Sequence, residues 1–279
     1  MNCVLKYPGA KWGIASWVIS FFPPHHSYLE PFFGSGGVFF NKSRSNIETI
    51  NDLDGEVINL FECIKSDPER LARDIYFTPY ARASYDKAFS KEIPKEPFDR
   101  AARLLVRCNM GHGFRTTGER IGWKNDVAGR ERAYAAKAWT ELPDIIVTAA
   151  ERLRGVQIEC SPAAELISRF NAPGVLVYCD PPYVLSTRRG KQYRCEMTDD
   201  DHLHLLDVLK HHKGPVLISG YKSPMYDAEL REWHRETVIT TDQLSQPKKE
   251  VLWMNFKPMG QITLFDSPKG ELYDSERTF

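Results

Sequence analysis

No run in this chain approaches the roughly 18 uninterrupted apolar residues that a membrane helix needs, and the opening segment MNCVLKYPGAKWG lacks the apolar core of a secretory leader. A soluble, cytoplasmic protein is expected. Charge of one sign is missing too: 37 basic residues face 37 acidic ones, so overall charge does not point to a polyanionic partner. Paired cysteines are absent. Cys3, Cys63, Cys108, Cys160, Cys179 and Cys195 are scattered without a CxxC pair and read as reduced, mostly buried thiols. The nearest approach to a metal signature is His202/His204 with His211/His212. It lies in a polar, helix-like stretch with no cysteine or second histidine cluster at ligand spacing, so no metal is expected. Internal repeats are lacking as well.

What is present suffices for a sizeable core. Apolar residues make up 42% of the 279, enough for one large α/β domain with a smaller insertion. HSYLEPF, ending at Phe32, reads as a strand entering the glycine-rich FGSGG, after which VFFNKS suggests a helix. ETIND is a second strand, and residues 54–65 repeat apolar side chains at a helical period. From 66 to 154 the alternation of strand and helix stops. Helical stretches there flank the polar loop NMGHGFRTTGERIGWKNDVAG, as in an inserted domain. Strand signals resume with VQIEC, GVLVYCD and PVLISGY, separated by helix-like stretches at 162–170 and 199–211. TVITTD and EVLWMNF then suggest an antiparallel pair at one edge. The expected layout is a discontinuous catalytic domain at 1–65 and 155–265, a helical insertion at 66–154, and a tail at 266–279.

Local charge is less even than the total. Between Arg100 and Lys137 nine basic residues stand against three acidic ones, and Arg188, Arg189, Lys191 and Arg194 form a second run. Such runs are commonly solvated faces, yet they also suit phosphate contact.

The sharpest motif is Asp180-Pro181-Pro182-Tyr183, directly after the apolar GVLVYC. Strand ends of this kind handle ligands in open α/β sheets, and two prolines hold the flanking Asp and Tyr stiffly. An ordinary strand-ending turn uses the same residues. The second motif is Glu30-Pro31-Phe32-Phe33-Gly34-Ser35-Gly36-Gly37, whose glycines would let backbone approach a ligand, a device shared by flavin, nicotinamide and phosphate sites. Asp52 follows Gly34 by 18 residues, the spacing of an acid that accepts from ribose hydroxyls, although a helix cap there is an alternative. No Walker lysine follows the glycines, which argues against a nucleotide triphosphatase.

KYPGAK (Lys6 to Lys11), EPFFGSGG, Asp52 and DPPY, in this order and with a long insertion between the last two, resemble the Dam-like, DPPY-type DNA adenine methyltransferases of the alpha group. The resemblance is close over 6–65 and 174–184. It implies a Rossmann-like class I fold dependent on S-adenosylmethionine, acting on double-stranded DNA. Tyr7, Lys11, Phe32, Asp52 and Asp180 would contact the cofactor, with Glu30 and the loop of Gly34, Ser35, Gly36 and Gly37 lining its methionine end. Asp180, Pro181, Pro182 and Tyr183 would form the catalytic tetrapeptide. Within the basic insertion, Arg107, Asn109, Arg115 and Lys124 are the candidates for phosphate or base contact. Tyr7 stands where the family usually has tryptophan, and Ala10 where it usually has a second glycine. The stretch Val106-Arg107-Cys108-Asn109-Met110-Gly111 departs from the usual recognition pattern, so a GATC target is not implied.

The expected chemistry is methyl transfer to the N6 amine of an adenine flipped out of the duplex. Asp180 and the Pro181 carbonyl would accept the amine hydrogens, and Tyr183 would stack through its ring face with its hydroxyl idle. Methylation of the cytosine N4 amine is the enzymatic alternative, and a catalytically inactive DNA-binding module is the non-enzymatic one. A restriction-modification or phage setting would suit either enzyme.

Overall fold

A computed structural model describes residues 2–112, 116–125, 135–188, 190–241 and 247–258. The tail expected over 266–279 lies outside the described residues. Seven strands form one sheet: β1 (Ser27–Glu30), β2 (Ile47–Asn51), β3 (Gln157–Glu159), β4 (Val175–Cys179), β5 (Val216–Tyr221), β6 (His234–Thr241) and β7 (Pro247–Met254), in the order β3-β2-β1-β4-β5-β7-β6. The first five are mutually parallel, and β7 runs antiparallel between β5 and β6. This is the Rossmann-like α/β fold the sequence led us to expect, including the antiparallel pair at one edge. Strand order reverses between β1 and β4, which opens a crevice at their carboxyl ends where ligands bind in such sheets.

Continuous apolar sequence accounts for the central strand. All five residues of β4, VLVYC, are buried because helices cover both faces of the sheet. On one face, α2 (Gly55–Ser66), α3 (Pro68–Tyr76), α5 (Pro97–Met110) and α6 (Ala135–Leu153) share a core with the sheet, in which Phe61, Leu105, Trp139 and Ile146 join Tyr28, Ile50 and Leu176. The short α4 (Arg82–Lys87) lies between α3 and α5 in sequence. On the other face, α7 (Ala163–Arg169) and α8 (Asp199–Lys210) contribute Leu166, Leu205 and Leu209, against Val177, Ile218 and Trp253 of the sheet. Each fully buried aliphatic or aromatic side chain of this kind contributes about 1.5 to 3 kcal/mol.

Two short helices, α1 (Ala15–Ile19) and α9 (Pro224–Glu229), have no signal in the sequence reading. The helix expected over VFFNKS does not form. Residues 38–41 make only turns, with Phe40 N–H donating to the Gly36 carbonyl at 2.9 Å. Val38, Phe39 and Phe40 are all buried, and the segment stops after little more than one turn, where Lys42 N–H donates to the Val38 carbonyl at 3.1 Å.

A buried ion cluster fastens the helical layer to the β2 end of the sheet. Glu48 lies 2.6 Å from the Lys42 ammonium and 2.5 Å from the Arg152 guanidinium of α6. Burial alone would raise the Glu48 carboxyl, but hydrogen bonds from Arg152 and Lys42 outweigh it and hold it below the usual range. Arg44 then caps the end of α6, donating to the carbonyls of Glu151 and Arg154 at 2.6 and 2.9 Å.

Candidate active site

A cavity of about 230 Å³ occupies the crevice at the carboxyl ends of β1, β2 and β4. It brings together most of the residues expected there: Tyr7, Lys11, Glu30, Phe32, Gly34, Ser35, Asp52, Asp180 and Pro182 all line it. The two ends of the cavity are built differently.

At the β1/β2 end, acids are held mainly by neutral donors. Glu30, 2% exposed, accepts from the Tyr28 hydroxyl at 2.5 Å, and burial pushes its carboxyl up to about 8. Asp52 accepts from the amides of Gly34 at 2.8 Å and Asp54 at 2.9 Å, yet burial still raises it to about 6. The helix-capping role weighed for Asp52 belongs to Asp54, whose carboxylate accepts from Glu56 N–H at the start of α2. Leu53, more than half exposed, and half-buried Phe32 add apolar surface to the cavity wall. Asn51 was not anticipated. Its side chain donates to the Pro31 and Ser161 carbonyls and accepts from Ser161 N–H, joining the loops that follow β1 and β3.

The glycines serve the protein's own packing. Gly34 and Gly36 have positive φ, and a Cβ at Gly34 would lie 2.9 Å from the Tyr7 ring. At Gly36 it would lie 2.5 Å from Phe33. Packing within the protein thus requires glycine at both positions, independently of any ligand. Ser35, also buried, accepts from the Trp12 indole at 3.1 Å.

At the β4 end, side chains organise one another. Lys11 spans both Asp180 oxygens, at 2.7 Å from Oδ1 and 2.9 Å from Oδ2, and Ser219 donates to Oδ1 at 2.9 Å. Lys11 also donates to the Gly9 carbonyl at 2.7 Å and lies 3.6 Å from Glu250. Burial works against the Lys11 ammonium, but Asp180 and then Glu250 outweigh it and raise it above its ordinary value. Tyr183 differs from expectation. Its hydroxyl is engaged, donating to Glu250, while its ring meets Tyr221 edge-on at 4.6 Å.

The loop after the tetrapeptide closes over the cavity, with Tyr193, Cys195, Glu196 and Met197 in its lining. Tyr193 donates to the Pro8 carbonyl at 3.2 Å, and Glu196 accepts from the amides of Gln192 and Tyr193. Arg188 forms a buried ion pair with Glu196 and donates to the Tyr183 carbonyl at 2.7 Å. It braces this loop, and the surface phosphate role suggested by the charge run does not suit it.

Among the described residues of 66–154, fewer cations are open than the composition suggests. Arg100 pairs with Glu56, Arg120 pairs with Asp86, and Arg103 donates to the carbonyls of Ala88, Ser90 and Glu92. Among the expected DNA contacts, Arg107 is half-buried over the Phe89 ring at 4.6 Å. Asn109 is 6% exposed and donates to the Leu105 carbonyl one helical turn back, so its amide faces the interior. Lys124 is half-buried, and desolvation pulls its ammonium down to about 8. Arg115 lies outside the described residues. Thr116 stitches the insertion to the loop after the tetrapeptide, donating to the Gln192 carbonyl and accepting from Arg194 N–H, both at 3.0 Å.

The family model for D12 class N6 adenine-specific DNA methyltransferases matches residues 7–245. The chain is 27% identical over 247 residues to the DNA adenine methylase of Escherichia coli strain K12, covering 84% of each protein. It is 26% identical over 248 residues to the DNA adenine methylase of Serratia marcescens, covering 84% of this chain and 87% of that one. A DNA N-6-adenine-methyltransferase of Escherichia phage P1 is 23% identical over 190 residues, which span 64% of this chain and 24% of the phage protein. The family match runs through both ends of the cavity, and the chain therefore belongs to the D12 class N6 adenine-specific DNA methyltransferases, which transfer a methyl group from S-adenosylmethionine to adenine in DNA.

Proposed function

We propose that the β4 end of the cavity receives an adenine extruded from double-stranded DNA and that Asp180 accepts a hydrogen of its N6 amine. The observation that carries this is how Asp180 is held. A carboxylate offers about four lone-pair sites. Lys11 and Ser219 occupy Oδ1, and Lys11 also occupies Oδ2. A position on Oδ2 is left for an incoming N–H, with the carboxylate unable to turn away. The Pro181 carbonyl, stiffened within the two-proline run, takes the second amine hydrogen. Drawing both hydrogens into acceptors localises the amine lone pair and stabilises the positive charge that develops on nitrogen during transfer.

The β1/β2 end suits the cofactor, S-adenosylmethionine, which when bound supplies a methyl group on a positively charged sulfur. Asp52 accepts from ribose hydroxyls, and Leu53 with Phe32 offers apolar faces to the adenine ring. Glu30, buried and without an ion-pair partner among the described residues, ionises against the ammonium of the methionine portion. Tyr7, Gly34, Ser35 and Gly37 complete the wall. Residues 66–154 carry target recognition in this reading, with Arg107, Arg115 and Lys124 toward the DNA backbone. Extruding the base costs a few kcal/mol, which phosphate contacts offset.

The test is direct. Duplex DNA incubated with the protein and labelled cofactor, then digested, yields labelled N6-methyladenine, and the duplex outperforms its separated strands. Label confined to cytosine overturns the assignment of the amine. Equal rates on single strands overturn the duplex requirement.

A further inference from the structure

Glu250 is an acid on an interior strand. It opens EVLWMNF and pairs with Tyr221 of β5 on one side and Val238 of β6 on the other, with its side chain only 5% exposed. A buried carboxylate is costly unless it is compensated, and an apolar residue at such a place in a sheet is commonly no less stable. Compensation from Lys11 is incomplete, because that ammonium sits at 3.6 Å from Glu250 but 2.7 Å from Asp180. The closer partner of Glu250 is the Tyr183 hydroxyl. Residues directly paired across strands share a face, as do residues two apart along a strand, so Ser219, Tyr221 and Glu250 project from one side of the sheet. Ser219 contacts Asp180, Tyr221 contacts the Tyr183 ring, and Glu250 contacts both Tyr183 and Lys11. Lys11 in turn lies 4.8 Å from the Tyr183 ring centroid. The Tyr183 ring is thereby held at its hydroxyl, edge and face.

We propose that Glu250 is a positioning residue for methyl transfer, setting the plane of the Tyr183 ring through its hydroxyl and balancing Lys11 so that Asp180 meets the target amine at a fixed angle. This rests on the reading above, in which Asp180 accepts from the base, and on the stacking role the sequence leads us to expect of Tyr183. Glu250 touches neither base nor cofactor and acts through the two residues it holds. Its loss should therefore appear in the transfer step, with binding of either substrate little changed. Misplacement of reacting groups by about 1 Å costs on the order of a hundredfold in rate.

The experiment compares wild type, Glu250→Gln, Tyr183→Phe and the double variant in single-turnover methylation of duplex DNA, with cofactor and DNA affinities measured alongside. Glu250→Gln should slow transfer by about a hundredfold while changing both affinities by less than about threefold. Gln keeps an oxygen that can accept from Tyr183 but loses the charge facing Lys11, whereas Tyr183→Phe removes the hydrogen bond itself and should show a loss at least as large. The double variant should be no slower than the slower single one, because the two residues act as a unit. Full-rate Glu250→Gln, losses that multiply, or a loss confined to cofactor affinity would each overturn the role. If Glu250→Gln fails to fold by thermal melting, Tyr183→Phe carries the test, and a full rate there overturns it. An inactive wild type would instead sink the reading of the site itself, and this inference with it.

Discussion

The two ends of the cavity handle negative charge in opposite ways. At the β1/β2 end, Glu30 and Asp52 form no ion pair among the described residues, are held by a hydroxyl and backbone amides, and have raised pKa values. At the β4 end, Asp180 is paired closely with the buried Lys11, which Glu250 approaches only at 3.6 Å, so that burial still raises the Glu250 carboxyl. Uncompensated acids await a cation, and compensated ones accept a neutral partner without adding charge to the interior. A positively charged methyl donor and an uncharged base match these ends in that order.

The comparison is broken most decisively at Asp180. Asp180→Ala should reduce single-turnover methylation by about a thousandfold, the upper range for removing one preorganised stabilising group. Cofactor and DNA affinity should stay near wild type, and a matching loss of cofactor affinity would mean that the two ends are not separable. Asp52→Ala should do the reverse, weakening cofactor binding by about 10- to 100-fold, as for a lost hydrogen bond to a charged group. Calorimetry on the free protein checks it, with thermal melting to exclude unfolding.

A smaller effect sharpens the same contrast through pH. Glu30, raised to about 8, holds its proton in the free protein at pH 7 and must release it to meet an ammonium, while Asp52, raised to about 6, titrates below it. A ligand that favours the ionised acids lowers their pKa on binding, so affinity should rise with pH through about 6 and again up to about 8, then level off. Cofactor binding at pH 7 should expel about one proton, measured in buffers of different ionisation enthalpy, and Glu30→Gln should abolish that release. Smallest is the effect expected in the insertion. Lys124→Ala, if the side chain meets phosphate, should lower the slope of log affinity against log salt by about one, equally on all sequences. An unchanged slope at pH 7 removes it from the interface.

Much of the sheet was legible because its strands are short apolar runs ended by turn residues, and the cavity residues were legible because DPPY, EPFFGSGG and Asp52 sit at strand ends. The helix expected over VFFNKS failed because period alone cannot separate a helix face from residues that are all buried, such as Val38, Phe39 and Phe40. Glu250 was missed because an acid before VLWMNF reads as a strand's solvent-facing end. Only the placement of β7 between β5 and β6 turns it inward. Arg188 was misread because its partner, Glu196, lies eight residues away in a loop without periodicity. Asn51 had no signal beyond its place at the end of β2.

The contacts of Thr116 with Gln192 and Arg194 bear on how new specificities could be made. An insertion that touched only its own helices could be exchanged between relatives as a cassette. Here the graft would cut a backbone hydrogen bond and a backbone-to-hydroxyl one to the segment that roofs the cavity, leaving the Gln192 carbonyl and the Arg194 amide without these partners. Thr116 and the segment carrying Gln192 and Arg194 therefore travel together: a chimera that transplants both carries its own seam, and one that transplants either alone begins with a misfitted roof.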